Sequence, residues 1–304
     1  MSDPGRADRP RRIAVFVKNG ENPNYQAFLL GAERAAAAAG AVAERHVPAT
    51  PDSAEEQTAL FRRVLSDPPD AILFAPADDR RMEGPVAEAN AAGIPLVGFV
   101  NRMRGRFVTF VGADDVAMAR PSARALAEAL GGQGQVVLIE GPDTAPTSRD
   151  RDRGFREELA RHPGITLLGS APGRYLRGGG REAMAALLAA HPRIDGVIAT
   201  NDLMALGALD ALAAQGRTAL VVGNNGTIEA ARAVGEGRLL ATMDYDGFRM
   251  GCVAATAAIR HLRGLPVPPE ILLPARVIHR GNHAAWLVPV EDRSCPAWED
   301  VVAG

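Results

Sequence analysis

Short apolar runs alternate with helical patterns along most of the chain, and this alternation limits the possible fold more than any other feature. Four such runs lie in the first half, at residues 13–17, 71–74, 96–100 and 107–111, and residues 42–46 are predicted to be extended. Four more lie at residues 136–139, 165–168, 197–199 and 220–222. Uninterrupted apolar strands are typical of parallel sheets that helices cover on both faces. The pattern therefore predicts a doubly wound α/β fold.

The number of strand–helix units favours two sheets rather than one. A chain of 304 residues that is 47% hydrophobic can build two medium-sized cores. The two halves also resemble each other weakly, since DAILF at residues 70–74 parallels DGVIA at residues 195–199. Two similar lobes predict a cleft between them, with a ligand at the carboxyl ends of the strands.

Composition excludes several classes of function. The formal net charge of -2 leaves no broad basic field for nucleic acid or an anionic membrane. The two cysteines, Cys252 and Cys295, belong to no CxxC or Cys/His cluster, so a structural zinc site is not expected. We expect one core thiol and one tail thiol, with a disulfide between them as the alternative. No stretch is long and apolar enough to span a bilayer.

The sequence lacks the common catalytic motifs. The sequence has no P-loop, no dinucleotide fingerprint, no HExxH and no GxSxG. Acidic residues do follow several predicted strands, and we interpret them as helix caps and hydroxyl acceptors rather than as catalytic groups. Asp115 and Asp202 lie where an N-cap is useful. We therefore predict no catalytic residue, no metal site and no cofactor.

Several local strings, taken in order, resemble the type I periplasmic binding proteins, close to their ribose-binding branch. They are NPNY at residues 22–25, GIPLV at 93–97, Asn101-Arg102, SRDRDRGF at 148–155, ATNDLMALGA at 199–208 and VVGNNGT at 221–227. The resemblance covers about residues 12 to 280. It implies two lobes joined by a three-segment hinge, with the ligand between them and closure by hinge motion.

The resemblance also implies where the lobes divide. The expected N-terminal lobe comprises residues 12–113 and 246–275, and the expected C-terminal lobe comprises residues 114–245 and 276–304. LacI-type repressors share this fold but need a DNA-reading module before the first strand, and only twelve residues precede Ile13 here. We therefore expect no binding to nucleic acid. We also expect the protein to be a monomer.

Eight residues of this chain match the positions that the family uses for ligand binding. Those implied by the resemblance are Asn24, Tyr25, Asn101, Arg102, Arg149, Asn201, Asn225 and Tyr245. Arginine presents a planar fork of donors, asparagine offers both a donor and an acceptor, and tyrosine can lie against a sugar ring. Such residue types suit a ligand rich in hydroxyl groups.

Two departures from the ribose-type pattern bear on the ligand. Asn101 and Asn225 stand where aspartate is usual, while Arg102 and Arg149 remain. Loss of two carboxylates makes the predicted cleft less negative, so a sugar acid or another ligand with an anionic or carbonyl acceptor is one hypothesis. The interpretation as a whole, a hydroxyl-rich ligand held by fixed arginine and amide groups, assumes that Arg102 and Arg149 share one crevice.

Three functions remain open from the sequence. The first is solute capture for an ABC importer, with a membrane permease as partner. The second is ligand sensing for a chemoreceptor or histidine kinase, and the third is an α/β enzyme that acts on a sugar or nucleoside. The resemblance implies a periplasmic location. Residues 1–12 carry no apolar segment typical of a secretory signal, so the sequence read literally predicts a cytoplasmic one.

Overall fold

Two six-stranded sheets form two lobes in the computed structural model, which describes residues 9–302. The first sheet has the strand order β11-β5-β4-β3-β1-β2, and all its neighbouring strands are parallel. Its strands are β1 (Arg12–Phe16), β2 (Val42–His46), β3 (Ala71–Phe74), β4 (Leu96–Phe99), β5 (Thr109–Gly112) and β11 (Glu270–Leu272). The four strands β1, β3, β4 and β5 are almost fully buried, as uninterrupted apolar strands require.

The second sheet repeats this plan with the order β12-β10-β9-β8-β6-β7. Only β12 runs antiparallel to its neighbour, β10. The strands are β6 (Gln133–Glu140), β7 (Gly164–Pro172), β8 (Gly196–Ala199), β9 (Leu220–Val222), β10 (Ala241–Met243) and β12 (Val277–His279). The prediction of two α/β lobes with doubly wound sheets is confirmed.

Nine helices of eight or more residues cover the two sheets of the described chain. They are α1 (Pro23–Ala38), α2 (Ala54–Ser66), α3 (Glu83–Ala91), α4 (Asp115–Ala129), α5 (Pro146–Leu159), α6 (Arg177–Ala190), α7 (Asp202–Ala214), α8 (Ile228–Gly235) and α9 (Gly247–Leu262). Most begin at side-chain caps, for example Asn22, Ser53 and Thr227, each of which accepts a backbone N–H of the first turn.

Two caps lie one residue earlier than expected. Asp114, not Asp115, accepts from the backbone N–H of Ala117 at the start of α4, and Asn201, not Asp202, caps α7. Helix α5 begins at Pro146, which can occupy the first helical position without losing a hydrogen bond.

The chain crosses between the lobes three times, after β5, between β10 and α9, and between β11 and β12. Helix α9 returns to the first lobe and packs along α1. Because all three crossings are only a few residues long, they can act as the hinge that the fold implies.

The tail after β12 departs from its expected place on the second lobe. A short 3-10 turn at His283–Trp286 packs against α8 of the second lobe. Beyond it, Cys295 forms a disulfide with Cys252 of α9, with the two Cα atoms 5.5 Å apart. Helix α10 (Trp298–Val302) then packs on the first-lobe core. Our expectation of two separate thiols is therefore wrong, and the end of the tail lies on the first lobe.

No helix among residues 9–302 has the length and apolarity needed to cross a membrane. The prediction of a cytoplasmic location depends on residues 1–12. Of these, residues 1–8 lie outside the described part of the chain.

Candidate functional site

A narrow cleft lies between the lobes, at the carboxyl ends of strands from both sheets. The first lobe contributes loops after β1, β2 and β4, and the second contributes α5 and the loops after β7, β8 and β9. The cleft is lined by Asn19, Asn22, Asn24, Tyr25, Asp52, Val100, Thr147, Arg151, Tyr175, Asn201, Asn225 and Tyr245. Most of the lining residues have polar side chains, which suits one small ligand with many hydroxyl groups.

Arg151 is the most highly connected residue of the cleft. Its Nε donates to Asp115 Oδ1 at 2.8 Å, and its Nη1 donates both to the Thr200 carbonyl and to Asn225 Oδ1. The guanidinium also lies 4.8 Å from the ring centroid of Tyr245. These contacts fix the planar group before any ligand arrives, which reduces the ordering cost of binding.

Burial disfavours the charged form of both Asp115 and Arg151, so it shifts their pKa values in opposite directions. Desolvation raises the pKa of Asp115 to about 6, although Arg151 opposes the rise. The Asp115 carboxylate in turn helps to keep the pKa of Arg151 above its usual value despite the burial of the guanidinium. Above pH 6 the two groups therefore form a buried ion pair whose charges balance.

All three tyrosines of the chain, Tyr25, Tyr175 and Tyr245, line the cleft. The Tyr175 hydroxyl lies 3.0 Å from Thr147 Oγ1, whereas the buried Tyr245 hydroxyl has no hydrogen-bond partner among residues 9–302. Burial raises the pKa of both Tyr25 and Tyr245, so both remain neutral. Rings of this kind combine an apolar face with a polar tip, a combination that suits sugars.

Backbone strain is concentrated at the same place. Five described residues other than glycine have positive φ, and four of them line the cleft: Asp52 (60°), Val100 (61°), Tyr175 (61°) and Asn225 (141°). A β-branched or aromatic residue in this region is unusual and persists only where its surroundings enforce it. The strain therefore supports a functional role for the cleft.

Five of the eight residues predicted from the sequence line the cleft together: Asn24, Tyr25, Asn201, Asn225 and Tyr245. Asn24 Oδ1 also accepts the Gly247 N–H at a crossing. Asn201 is held between its cap of α7 and the Tyr175 carbonyl.

The other three predicted residues lie elsewhere. Asn101 is buried behind the cleft, where its Nδ2 donates to the Pro76 carbonyl, and the preceding residue, Val100, lines the cleft instead. Arg102 stacks on Phe110 at 3.9 Å and pairs with Glu270 on the outer surface. Strand β4 ends at Phe99, one residue earlier than expected. The side chains of the residues that follow it therefore point in other directions than they would if the strand continued.

Arg149 is also outside the lining. Its Nη2 donates to Asp79 Oδ2 at 2.7 Å, which joins the lobes at an exposed position, and its Nη1 donates to the Asp143 carbonyl. The two predicted arginines therefore do not share a crevice. The interpretation that Arg102 and Arg149 clamp the ligand is wrong, and the sugar-acid hypothesis loses its support with it. Helical spacing from Phe155 would have identified Arg151, since residues four apart share a face.

Comparison with known proteins agrees with this architecture. A family model described as a periplasmic binding protein domain matches residues 13–266. The ribose import binding protein of Bacillus subtilis (strain 168) is 31% identical over 266 residues, which cover 87% of this chain and 86% of the relative.

Solved structures show the same fold. An ABC transporter periplasmic solute binding protein from Actinobacillus succinogenes 130z, with bound D-allose, gives a TM-score of 0.85 at 25% identity and covers 90% of this chain and 99% of its own. An ABC transporter solute binding protein from Mycobacterium smegmatis, with bound glycerol, gives 0.87 at 29% identity and covers 92% and 98%. The chain belongs to the periplasmic binding protein family, which confirms the resemblance found in the sequence.

Proposed function

We propose that this protein binds one small, neutral, polyhydroxylated molecule, a sugar or a sugar alcohol, in the interlobe cleft and delivers it to an ABC importer. The observation that carries the proposal is the prearranged Arg151, which faces three tyrosines and several asparagines inside a closed cleft. Relatives that bind ribose and D-allose support the ligand class.

Charge balance favours a neutral ligand. Arg151 is paired with Asp115, and the other cation at the cleft, Lys18, lies 2.9 Å from Asp52. Neither cation is left uncompensated for an anionic ligand, and a buried third charge is costly unless it finds its own partner. A neutral sugar therefore replaces the sugar acid as the proposed ligand.

An extracytoplasmic location and a membrane permease as partner complete the proposal. The Cys252–Cys295 disulfide supports the location, because such bonds persist in oxidising compartments. Binding without turnover is also part of the proposal, since the carboxylates nearest the ligand space, Asp52 and Asp115, are paired with cations rather than placed as an acid–base couple.

A thermal-shift and calorimetric panel tests the ligand class. We expect D-ribose, D-allose, xylitol or myo-inositol to raise the melting temperature and at least one to bind with a micromolar or lower Kd, because a ligand that binds only the folded state stabilises it. D-gluconate and D-glucuronate serve as anionic controls. Binding of the acids alone, or chemical conversion of a bound sugar detected by NMR, would contradict the proposal.

A further inference from the structure

The tail after β12 (residues 280–302) contacts both lobes. Its 3-10 turn at His283–Trp286 packs against α8 of the second lobe, where the His283 ring lies directly against Gly235. Further along, Val290 and Trp298 pack on the first-lobe core. A segment placed in this way is affected by any rotation of one lobe relative to the other.

The tail also interacts with the second crossing, the short segment between β10 and α9. Arg293 Nη1 lies 3.6 Å from Asp246 Oδ1, the oxygen that caps α9. Burial and the neighbouring Asp246 raise the pKa of Asp244 to about 6, and the tail side chains Trp286 and Arg293 oppose this rise. The tail therefore lies against residues about which the lobes rotate.

Two anchors attach the tail to the first lobe. Arg34 of α1 donates from Nη1 and Nη2 to the carbonyls of Arg293 and Glu291. The Cys252–Cys295 disulfide then fixes the chain to α9, two residues beyond Arg293. The contact with the crossing and the anchors on the first lobe thus lie within a few residues of one another.

A second space between the lobes lies beside this part of the tail. Its lining includes Ala27 of α1 from the first lobe, Ile228 of α8 from the second lobe and Val290 of the tail. Asn24 and Asn225 line both this space and the ligand cleft. Because its walls belong to different lobes, its width must change when the lobes rotate about the crossings.

We propose that the tail is a strap that stabilises the closed arrangement of the lobes and thereby raises the affinity of the cleft for its ligand. The lobes are closed in this structure, where Arg149 of one lobe pairs with Asp79 of the other. The tail makes its contacts with both lobes in this arrangement, and opening must break or strain some of them. Interactions made only in the closed state shift the equilibrium toward it. The effect on affinity rests on the proposed function, whereas the effect on closure does not.

The strap acts through its contacts and not through the length of the chain. The chain between His279 of β12 and Cys295 can extend to roughly 50 Å, which is far more than a hinge rotation requires. The disulfide alone therefore does not limit opening. Loss of the Arg34 contacts should accordingly weaken the strap even when the disulfide is intact.

Small-angle X-ray scattering of the unliganded full chain tests the strap without a ligand. We expect Arg34→Met and Cys252→Ala/Cys295→Ala each to have a larger radius of gyration than the wild type, because each releases one anchor. Methionine at position 34 keeps an apolar contact with Phe248. Arg45→Met is the matched control, since Arg45 pairs with Glu33 inside the first lobe, and its radius should equal that of the wild type.

Melting curves show whether each variant folds, and Arg34→Met alone decides the outcome if the disulfide variant does not. Equal radii of gyration for the wild type and the folded variants would overturn the inference.

Calorimetry and stopped-flow fluorescence with D-ribose and D-allose measure the effect on the cleft. In both strap variants we expect the Kd and the dissociation rate to rise at least about fivefold, because a smaller fraction of the protein is closed. Arg45→Met should change both by less than about twofold. A loss of folding stability alone would lower the melting temperature without changing the Kd of the folded protein.

The outcomes separate this inference from the proposed function. If sugars bind but the Kd and the dissociation rate of folded Arg34→Met equal those of the wild type, the strap is refuted and the proposed function stands. If no neutral sugar binds to the wild type, the proposed function fails, and the scattering comparison still decides whether the tail holds the lobes closed.

Discussion

Arg149 and Arg151 are two residues apart on helix α5, yet their environments differ completely. The Arg149 side chain is 42% exposed and the Arg151 side chain is 4% exposed. Two positions on a helix are about 200° apart around its axis, so only one of them can face the cleft. Arg151 shares its face with Thr147 and Phe155, which are both buried.

Replacement of Arg151 should therefore abolish binding. We expect Arg151→Met to weaken sugar binding by more than about 100-fold and to destabilise the fold by about 3–5 kcal/mol, because it leaves Asp115 buried without its partner. Adding Asp115→Leu should restore stability but not binding. Arg149→Met, as the control, should cost less than about 1 kcal/mol. Urea titration and calorimetry measure both quantities, and unchanged affinity in Arg151→Met would refute the assigned role.

Asp202 predicts a specific pH dependence of stability. It is fully buried behind the cleft, where Thr227 and Thr242 donate to it, and desolvation raises its pKa from 3.8 to about 6. The folded state therefore holds this proton more tightly than the unfolded state does. The resulting stability is complete below pH 4 and is lost as the pH rises through 6.

Asp202→Asn removes this contribution, since the amide does not titrate in this range. We expect the free energy of unfolding of the wild type, relative to the variant, to decrease from pH 4 to pH 6 by up to about 1.4 kcal/mol per pH unit. Parallel urea denaturation at several pH values gives this difference. A pH-independent difference would show that the carboxyl group does not titrate as inferred.

Helices α1 and α9 pack through glycines at their closest approach. A Cβ added at Gly31 would clash with the Phe248 carbonyl, and one at Gly251 would clash with the Phe28 carbonyl. Neither backbone can yield easily, because both helices lie against the first-lobe core. These two glycines thus let α9 pack closely on α1, which brings distant parts of the chain together.

Gly31→Ala should therefore destabilise the first lobe by about 3 kcal/mol through overpacking. Gly84 in α3 provides the control, since a Cβ there meets no atom within 4 Å and its φ is not positive. Gly84→Ala should stabilise by up to about 1 kcal/mol, because alanine has the higher helix propensity. Urea denaturation followed by circular dichroism measures both changes, and equal effects of the two substitutions would contradict the packing argument.

At the scale of the whole molecule, the tail adds a connection between the lobes beyond the three crossings. It contacts α8 on the second lobe, and Arg34 of α1 donates to the carbonyls of Glu291 and Arg293 further along. The disulfide to Cys252 and the stacking of Arg260 on Trp298 then fix its end to the first lobe. A tail that contacts both lobes must move with them when the cleft opens.

Loss of the disulfide should release the end of the tail. Its loop spans 43 residues, for which the chain-entropy model gives about 4 kcal/mol, and we expect Cys252→Ala/Cys295→Ala to lose about 2–4 kcal/mol. Both tryptophans, Trp286 and Trp298, lie in the tail, so tryptophan fluorescence reports on it directly. Dithiothreitol should change this fluorescence in the wild type but not in the variant. An identical response of both proteins would refute the bond.

The amino-acid sequence by itself determined the fold class, the two sheets and the bounds of most strands to within a few residues. These features depend on local patterns, because an apolar run of four residues forms a buried strand whichever sheet it joins. The strands at residues 71–74 and 220–222 agree with their predicted bounds for this reason. Four cleft residues, Asn24, Tyr25, Asn201 and Asn225, were also found from local strings.

Only the tertiary structure decided which neighbouring side chain faces the ligand space and which distant residues meet there. The choice of Val100 over Asn101, and of Arg151 over Arg149, depends on where an element starts or ends, and a shift of one or two residues reverses it. The pairing of Lys18 with Asp52, and of Cys252 with Cys295, joins residues far apart in the chain. Such contacts arise from the packing of whole elements, which no local pattern encodes.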